Sequence, residues 1–125
     1  MAEEQRKTVL VVDDTEANID VLVEILDPLY DVSVAMDGES ALEIAESEPP
    51  DLVLLDIMMP GMDGYEVLKR LRTNNRTMDI PVVFVSAQSK IDRSREGANA
   101  TSVDFITKPV DPESVITITR KHIDQ

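Results

Sequence analysis

The sequence contains no cysteine and only one histidine. Without thiols there is no disulfide framework, no thiolate nucleophile and no Cys-based zinc site. No apolar run is long enough for a transmembrane helix or a signal peptide, which makes the cytoplasm the expected location and a membrane an unexpected partner. Aromatic residues make up 3% of the chain, so its core must be built from Val, Leu, Ile, Met and Ala. Basic residues are also scarce: 12 Lys and Arg face 25 Asp and Glu, for a net charge of −13. That balance argues against direct nucleic-acid binding by this domain alone, because phosphate contacts need a basic surface. Internal repeats, low-complexity segments and interdomain linkers are missing too.

What remains is 42% apolar and 30% charged, the composition of a soluble globular chain. Its 125 residues fit one domain with one core, with residues 1–7 as a polar lead-in. The acidic excess is either a solvated surface or, in part, a cluster that binds a cation.

The stretch LVLLDIMMPGMDG at residues 52–64 organises the reading. Four apolar residues run into Asp56, and a turn-rich loop follows. An apolar run bounded by turn residues reads as a buried parallel strand, which puts Asp56 at its carboxyl end. The same pattern occurs at residues 8–12, TVLVV, which run into Asp13 and Asp14. A first helix is expected over residues 16–27, with Ile19, Leu22, Val23 and Leu26 on one face and Pro28 as its stop. Residues 30–36 alternate and are β-branched, which suits a strand near an edge. Asp37 caps a second helix over 39–47, with Leu42 and Ala45 facing inward. Asp63 caps a third, whose inner face carries Tyr65, Leu68 and Leu71. Residues 81–86, PVVFVS, and 103–107, VDFIT, are the fourth and fifth strands. A fourth helix from about residue 90 is weakly specified, because Gly97 and Asn99 are poor helix formers. A fifth opens at Asp111, with Pro112 in its favoured first position and Glu113 in the first turn.

Five repeats of strand then helix imply a five-stranded, doubly wound parallel sheet with helices on both faces and right-handed crossovers, of flavodoxin-like order 2-1-3-4-5. In that order Asp13, Asp14, Asp56, Ser86, Thr107 and Lys108 gather at one sheet edge. Three carboxylates so close repel one another unless a cation joins them. Oxygen donors without His or Cys favour magnesium, with manganese as the other candidate. A carboxylate is also a nucleophile that can form an aspartyl-phosphate, and Asp56, between the other acids and Lys108, is the candidate. Taken singly, each residue has a plainer role: a turn or cap acid, a surface lysine, a turn serine. Met58, Met59 and Met62 read as loop packing, and His122 as a solvent-exposed residue or a helix-dipole partner. The coincidence of acids and Lys108 at strand ends that should meet is what favours the functional reading.

Four stretches carry a resemblance: VLVVDD at residues 9–14, LLDIMMPGMDG at 54–64, PVVFVSA at 81–87 and DFITKP at 104–109. Together they resemble the receiver domain of two-component response regulators over nearly the whole chain. The resemblance implies a phosphorylation-activated switch rather than a metabolic enzyme. Asp56 would accept a phosphoryl group from a sensor histidine kinase or a histidine phosphotransfer protein. Asp13, Asp14, Asp56 and the Met58 backbone carbonyl would hold magnesium. Lys108 would pair with the phosphate, through a backbone whose Lys108–Pro109 bond is cis. Ser86 and Phe105 would be the switch pair. The signal would leave for an output domain or protein through the fourth helix, fifth strand and fifth helix, with a phosphorylation-dependent dimer as one outcome. Met58 and Gln88 would flank the path of attacking water.

The chain departs from the family's pattern at Thr101 and Ser102, where receivers carry a Gly-Ala pair; here that pair is Gly97 and Ala98. A short or mobile fourth helix is therefore expected. Residues 54–72 resemble receivers that precede cyclic-dinucleotide signalling domains. No output domain is present, so a stand-alone receiver and an excised piece are both expected forms. Two other functions stay open: a magnesium phosphohydrolase with an aspartyl intermediate, and a receiver-like interaction module that is never phosphorylated. Against the first stands Met58, where such enzymes carry a second acid. A nucleotide-binding fold is the weakest option, since no Gly-rich phosphate loop follows the first strand.

Overall fold

The computed structural model describes residues 6–87, 102 and 104–123. The apolar runs make the sheet: β1 is Thr8–Val12, β2 Asp31–Ala35, β3 Leu52–Leu55, β4 Val82–Ser86 and β5 Asp104–Thr107. All four pairings are parallel, in the order β2-β1-β3-β4-β5. Four helices lie among the described residues: α1 Glu16–Leu26, α2 Gly38–Ser47, α3 Gly64–Arg72 and α4 Pro112–Ile123. The helix expected from residue 90, with Gln88, Gly97, Ala98 and Thr101, lies outside the described residues.

Side chains alternate across a strand with period two, and that alternation splits the core in half. Leu10, Val12, Val53, Leu55 and Phe84 point to one face and pack with Ala41 and Ala45 of α2 and Tyr65, Val67, Leu68 and Leu71 of α3. Val9, Val11, Leu52, Leu54, Val83 and Val85 point to the other and pack with Ile19, Leu22 and Leu26 of α1 and Val115 and Ile123 of α4. Burying one such side chain contributes about 1.5–3 kcal/mol, so the central strands hold the sheet rigid beneath its carboxyl edge. Tyr65 meets Phe84 edge-on, with ring centroids 5.3 Å apart. Among the described residues no helix is long and apolar enough to cross a membrane.

Several boundaries differ from expectation by one or two residues. β2 is shorter at both ends, as suits an edge strand whose Asp31 and Val34 are exposed. α1 stops at Leu26, and Asp27 is its C-cap, its N–H bonding the Val23 carbonyl. Val23 is only half-buried. α2 begins at Gly38, and its fully buried side chains are Ala41 and Ala45. Leu42, expected inside, is half-buried against the core rim. Two alanines lie innermost because α2 packs closely on the sheet edge and on α3. The Asp37 and Asp63 caps are present: each side chain accepts an N–H three residues on, from Ser40 and Glu66.

Candidate functional site

Register places the site. Val12 pairs with Leu55, Leu55 with Phe84 and Ser86 with Thr107, so β1, β3, β4 and β5 end close together. The residues that follow are Asp13, Asp56 and Lys108. The Asp56 N–H continues the ladder by donating to the Val12 carbonyl at 2.9 Å, and the Lys108 N–H donates to the Ser86 carbonyl at 2.9 Å. The Lys108–Pro109 peptide is cis.

Lys108 Nζ lies 2.8 Å from Asp13 Oδ2 and 3.5 Å from Asp56 Oδ2. Asp13 is 1% exposed and Asp56 4%. Asp14 is the most accessible of the three acids, and one carboxylate oxygen from each lies within 4.8 Å of the others. The second oxygen of Asp13 accepts the Thr15 N–H at 2.9 Å and the Asn18 Nδ2 at 3.4 Å. That of Asp56 accepts the Met58 N–H at 3.3 Å. Burial, and then the negative charge of Asp13, push the Asp56 carboxyl above its usual 3.8; the Lys108 ammonium and the Met58 N–H only partly oppose them.

The loop after Asp56 turns at Gly61, whose φ of +75° lies where glycine is favoured. Met58, expected to pack within this loop, is instead 60% exposed at the mouth of the site. Met59 is buried and Met62 packs against the core rim. Ser86 is fully buried at the end of β4. Phe105 is half-buried and packs on the α2–α3 side of the sheet, beside Phe84. A groove of about 240 Å³, lined by Asn18, Val21, Leu22, Lys108, Pro109 and Val110, runs from the site along α1.

Two contacts were not expected. Asn18 reaches Asp13 because α1 begins two residues after Thr8–Val12 and its acids, so its first turn folds back over that strand end; the spacing of five residues was the available signal. His122, expected as a solvent-exposed residue or a helix-dipole partner, lies in the last turn of α4 but is only 12% exposed at its side chain, with Nε2 3.0 Å from Asp104 Oδ2. It joins the end of α4 to the start of β5. Burial opposes ionisation of Asp104, but hydrogen bonds from His122 and the Phe105 N–H outweigh it and hold that carboxyl below 3.8.

A doubly wound parallel sheet of this order carries its candidate site, an acid cluster paired with the Lys108 ammonium, at the carboxyl edge where the strand order reverses. Residues 9–120 match the response regulator receiver domain, and the chain belongs to that family. The response regulator PleD of Caulobacter vibrioides is 44% identical over 104 residues, a match covering 82% of this chain and 23% of PleD. A probable cyclic di-GMP phosphodiesterase of Vibrio cholerae is 42% identical over 103 residues, with the same coverage of 82% and 23%. The chain thus spans under a quarter of those relatives. A putative response regulator from Chloroflexus aurantiacus superposes with a TM-score of 0.87 at 30% identity, covering 97% of this chain and all of that one.

Proposed function

We propose that the chain is a phosphorylation-activated switch whose acceptor is Asp56. The observation that supports it most is the convergence of two further carboxylates and Lys108 on one buried acid whose carboxyl is held above its ordinary value. An acid raised in this way carries a more basic, more nucleophilic oxygen when ionised. In the proposed step an Asp56 carboxylate oxygen attacks the phosphorus of a phosphohistidine on a sensor kinase or phosphotransfer protein. The P–O bond forms, the P–N bond breaks, and the imidazole leaves with the electron pair. Hydrolysis reverses the charge: water attacks the phosphorus, the Asp56 carboxylate leaves, and inorganic phosphate departs.

The residues present fit a hard divalent cation, since three oxygen donors of like charge lie within 4.8 Å of one another and, among the described residues, one ammonium offsets them. Asp13, Asp14, Asp56 and the Met58 carbonyl would hold magnesium, or manganese in its place. When bound, the ion neutralises charge on the transferring phosphoryl oxygens. Lys108 turns from Asp13 to a second phosphoryl oxygen, and the Ser86 hydroxyl donates to a third. Phosphorylation adds about −1.5 to −2 charge and three acceptor oxygens, enough to bias a two-state surface. Phe105 follows Ser86 inward, and the change is read on β5, α4 and the helix expected before them, by an output domain or by a second copy. On output, the resemblance of residues 54–72 to receivers of cyclic-dinucleotide proteins agrees with the Vibrio cholerae relative. Cellular cyclic di-GMP should then differ between wild type and Asp56→Asn, and an unchanged level removes that part of the reading.

A phosphohydrolase is disfavoured by Met58, an exposed thioether where such an enzyme needs a proton donor. The test is to incubate the protein with magnesium and acetyl phosphate and weigh it intact. One added phosphoryl group, absent in Asp56→Asn, is expected. Many turnovers on phosphate esters would favour the phosphohydrolase, and no adduct would favour a module that is never phosphorylated.

A further inference from the structure

Two helices of this chain open with the same pair, Asp-Gly: Asp37-Gly38 at α2 and Asp63-Gly64 at α3. The aspartate caps each helix, but capping does not require glycine in the next position, where most residues are at ease. At Gly64 the reason is a close approach. A Cβ there would lie 2.5 Å from the Asp56 carbonyl oxygen, 2.8 Å from Ile57 Cα and 3.1 Å from the Asp56 carbonyl carbon. Every one of these atoms is backbone, and they belong to the acid at the centre of the site. At Gly38 the atoms met at 2.8–3.0 Å are side-chain atoms of Met62 and Val67. Met62 can swing aside and the stiffer, buried Val67 must shift slightly, but neither is backbone of the acid at the site.

Neither partner in the Gly64 contact is free to yield. The Asp56 N–H is held by the Val12 carbonyl, and Leu55 and Ile57 on either side are at most 1% exposed. α3 is anchored by Tyr65, Val67 and Leu68, all buried, and the Gly64 N–H closes the loop by donating to the Ile57 carbonyl at 2.8 Å. A methyl group at 64 must therefore open the contact by about half an ångström to reach the 3.0 Å that real Cβ contacts respect. The displaced group is the Asp56 backbone, and with it the carboxylate that faces Asp13 and Lys108.

We infer that Gly64 is a positioning residue for phosphoryl transfer: its missing side chain lets the first turn of α3 seat the Asp56 backbone, and so fixes the line of attack of the carboxylate. This rests on the reading of Asp56 as the acceptor. A displacement of about 1 Å near reacting groups can cost a hundredfold in rate, so about half of that is expected to cost roughly tenfold.

The experiment compares Gly64→Ala with Gly38→Ala, the same change at the same helical position. Both are first matched for folding by circular dichroism and urea midpoint. The rate of phosphorylation by acetyl phosphate is then measured against donor and magnesium concentration. Gly64→Ala is expected to lose about tenfold in maximal rate at saturating donor and magnesium. Gly38→Ala is expected to stay within twofold of wild type, although it too loses stability. A merely structural role would lower the folded fraction and leave the maximal rate per folded molecule unchanged. Wild-type rates in folded Gly64→Ala, or an equal loss in Gly38→Ala, overturn the inference. If Gly64→Ala alone does not fold, it is measured in the Thr119→Val background; failure to fold there also overturns it, since the glycine is then a global packing requirement. Absence of any adduct on wild type would instead overturn the reading of Asp56.

Discussion

Asp56→Asn should make the protein more stable at neutral pH in the absence of divalent cations. The substitution keeps the shape and removes one of three carboxylates from a site with a single ammonium among the described residues. At an effective dielectric of about 20, like charges no more than 4.8 Å apart repel by at least about 3.5 kcal/mol, and an ammonium at 3.5 Å returns about 4.7 kcal/mol. That ammonium is already shared with Asp13 at 2.8 Å, while Asp56 is 4% exposed and has Asp14 as a second like-charged neighbour. Repulsion and lost hydration then outweigh attraction, and the amide should gain about 1–3 kcal/mol. Urea unfolding in EDTA reads this as a higher midpoint with an unchanged slope. The pH dependence has a definite sign. Burial and Asp13 raise the Asp56 carboxyl above 3.8, so the folded state disfavours its ionised form. The penalty is absent below 3.8 and develops as pH rises through the raised folded value. The gap between variant and wild type should therefore close in acid. A variant no more stable than wild type at neutral pH, or a gap that widens in acid, refutes the reasoning.

Three further outcomes follow from the same geometry. Lys108→Ala leaves the acids without their counter-charge and should cost about 3 kcal/mol in EDTA, much of it recovered by millimolar magnesium in the same urea titration. The Thr119 hydroxyl is buried on α4 with no hydrogen-bond partner among the described residues, so Thr119→Val should stabilise by about 1 kcal/mol, read as a higher melting temperature. His122→Ala should move the Asp104 carboxyl upward, because the His122 hydrogen bond helps hold it below 3.8. The stability that Asp104 contributes is present above 3.8 and lost as pH falls through its depressed folded value; in the variant that acid-side loss should shrink, and carboxyl NMR titration reports the shift directly.

The strands and their order were legible because each is a short apolar run stopped by an acid or a turn, and because five strand–helix repeats leave few arrangements of a parallel sheet. The site was legible for the same reason: Asp13, Asp56 and Lys108 each follow a strand directly and Asp14 is one residue further, so topology alone brings them together. What the sequence did not reveal depends on where a side chain leans. Leu42 has the periodicity of a core residue, yet close packing of α2 puts Ala41 and Ala45 innermost. Met58 sits in an apolar-looking loop, yet the turn carries it outward. His122 has no local signal at all, because its partner Asp104 belongs to a strand eighteen residues earlier. The close approach at Gly64 is equally silent, since an Asp-Gly pair opens α2 as well with a different environment.

The most direct measurement locates the phosphoryl group. Protein treated with acetyl phosphate and magnesium is reduced with borohydride, which converts an acyl phosphate to an alcohol, and its peptides are sequenced by mass spectrometry. Homoserine is expected at position 56 and nowhere else. Unmodified Asp56, or reduction at Asp13 or Asp14 instead, would contradict it.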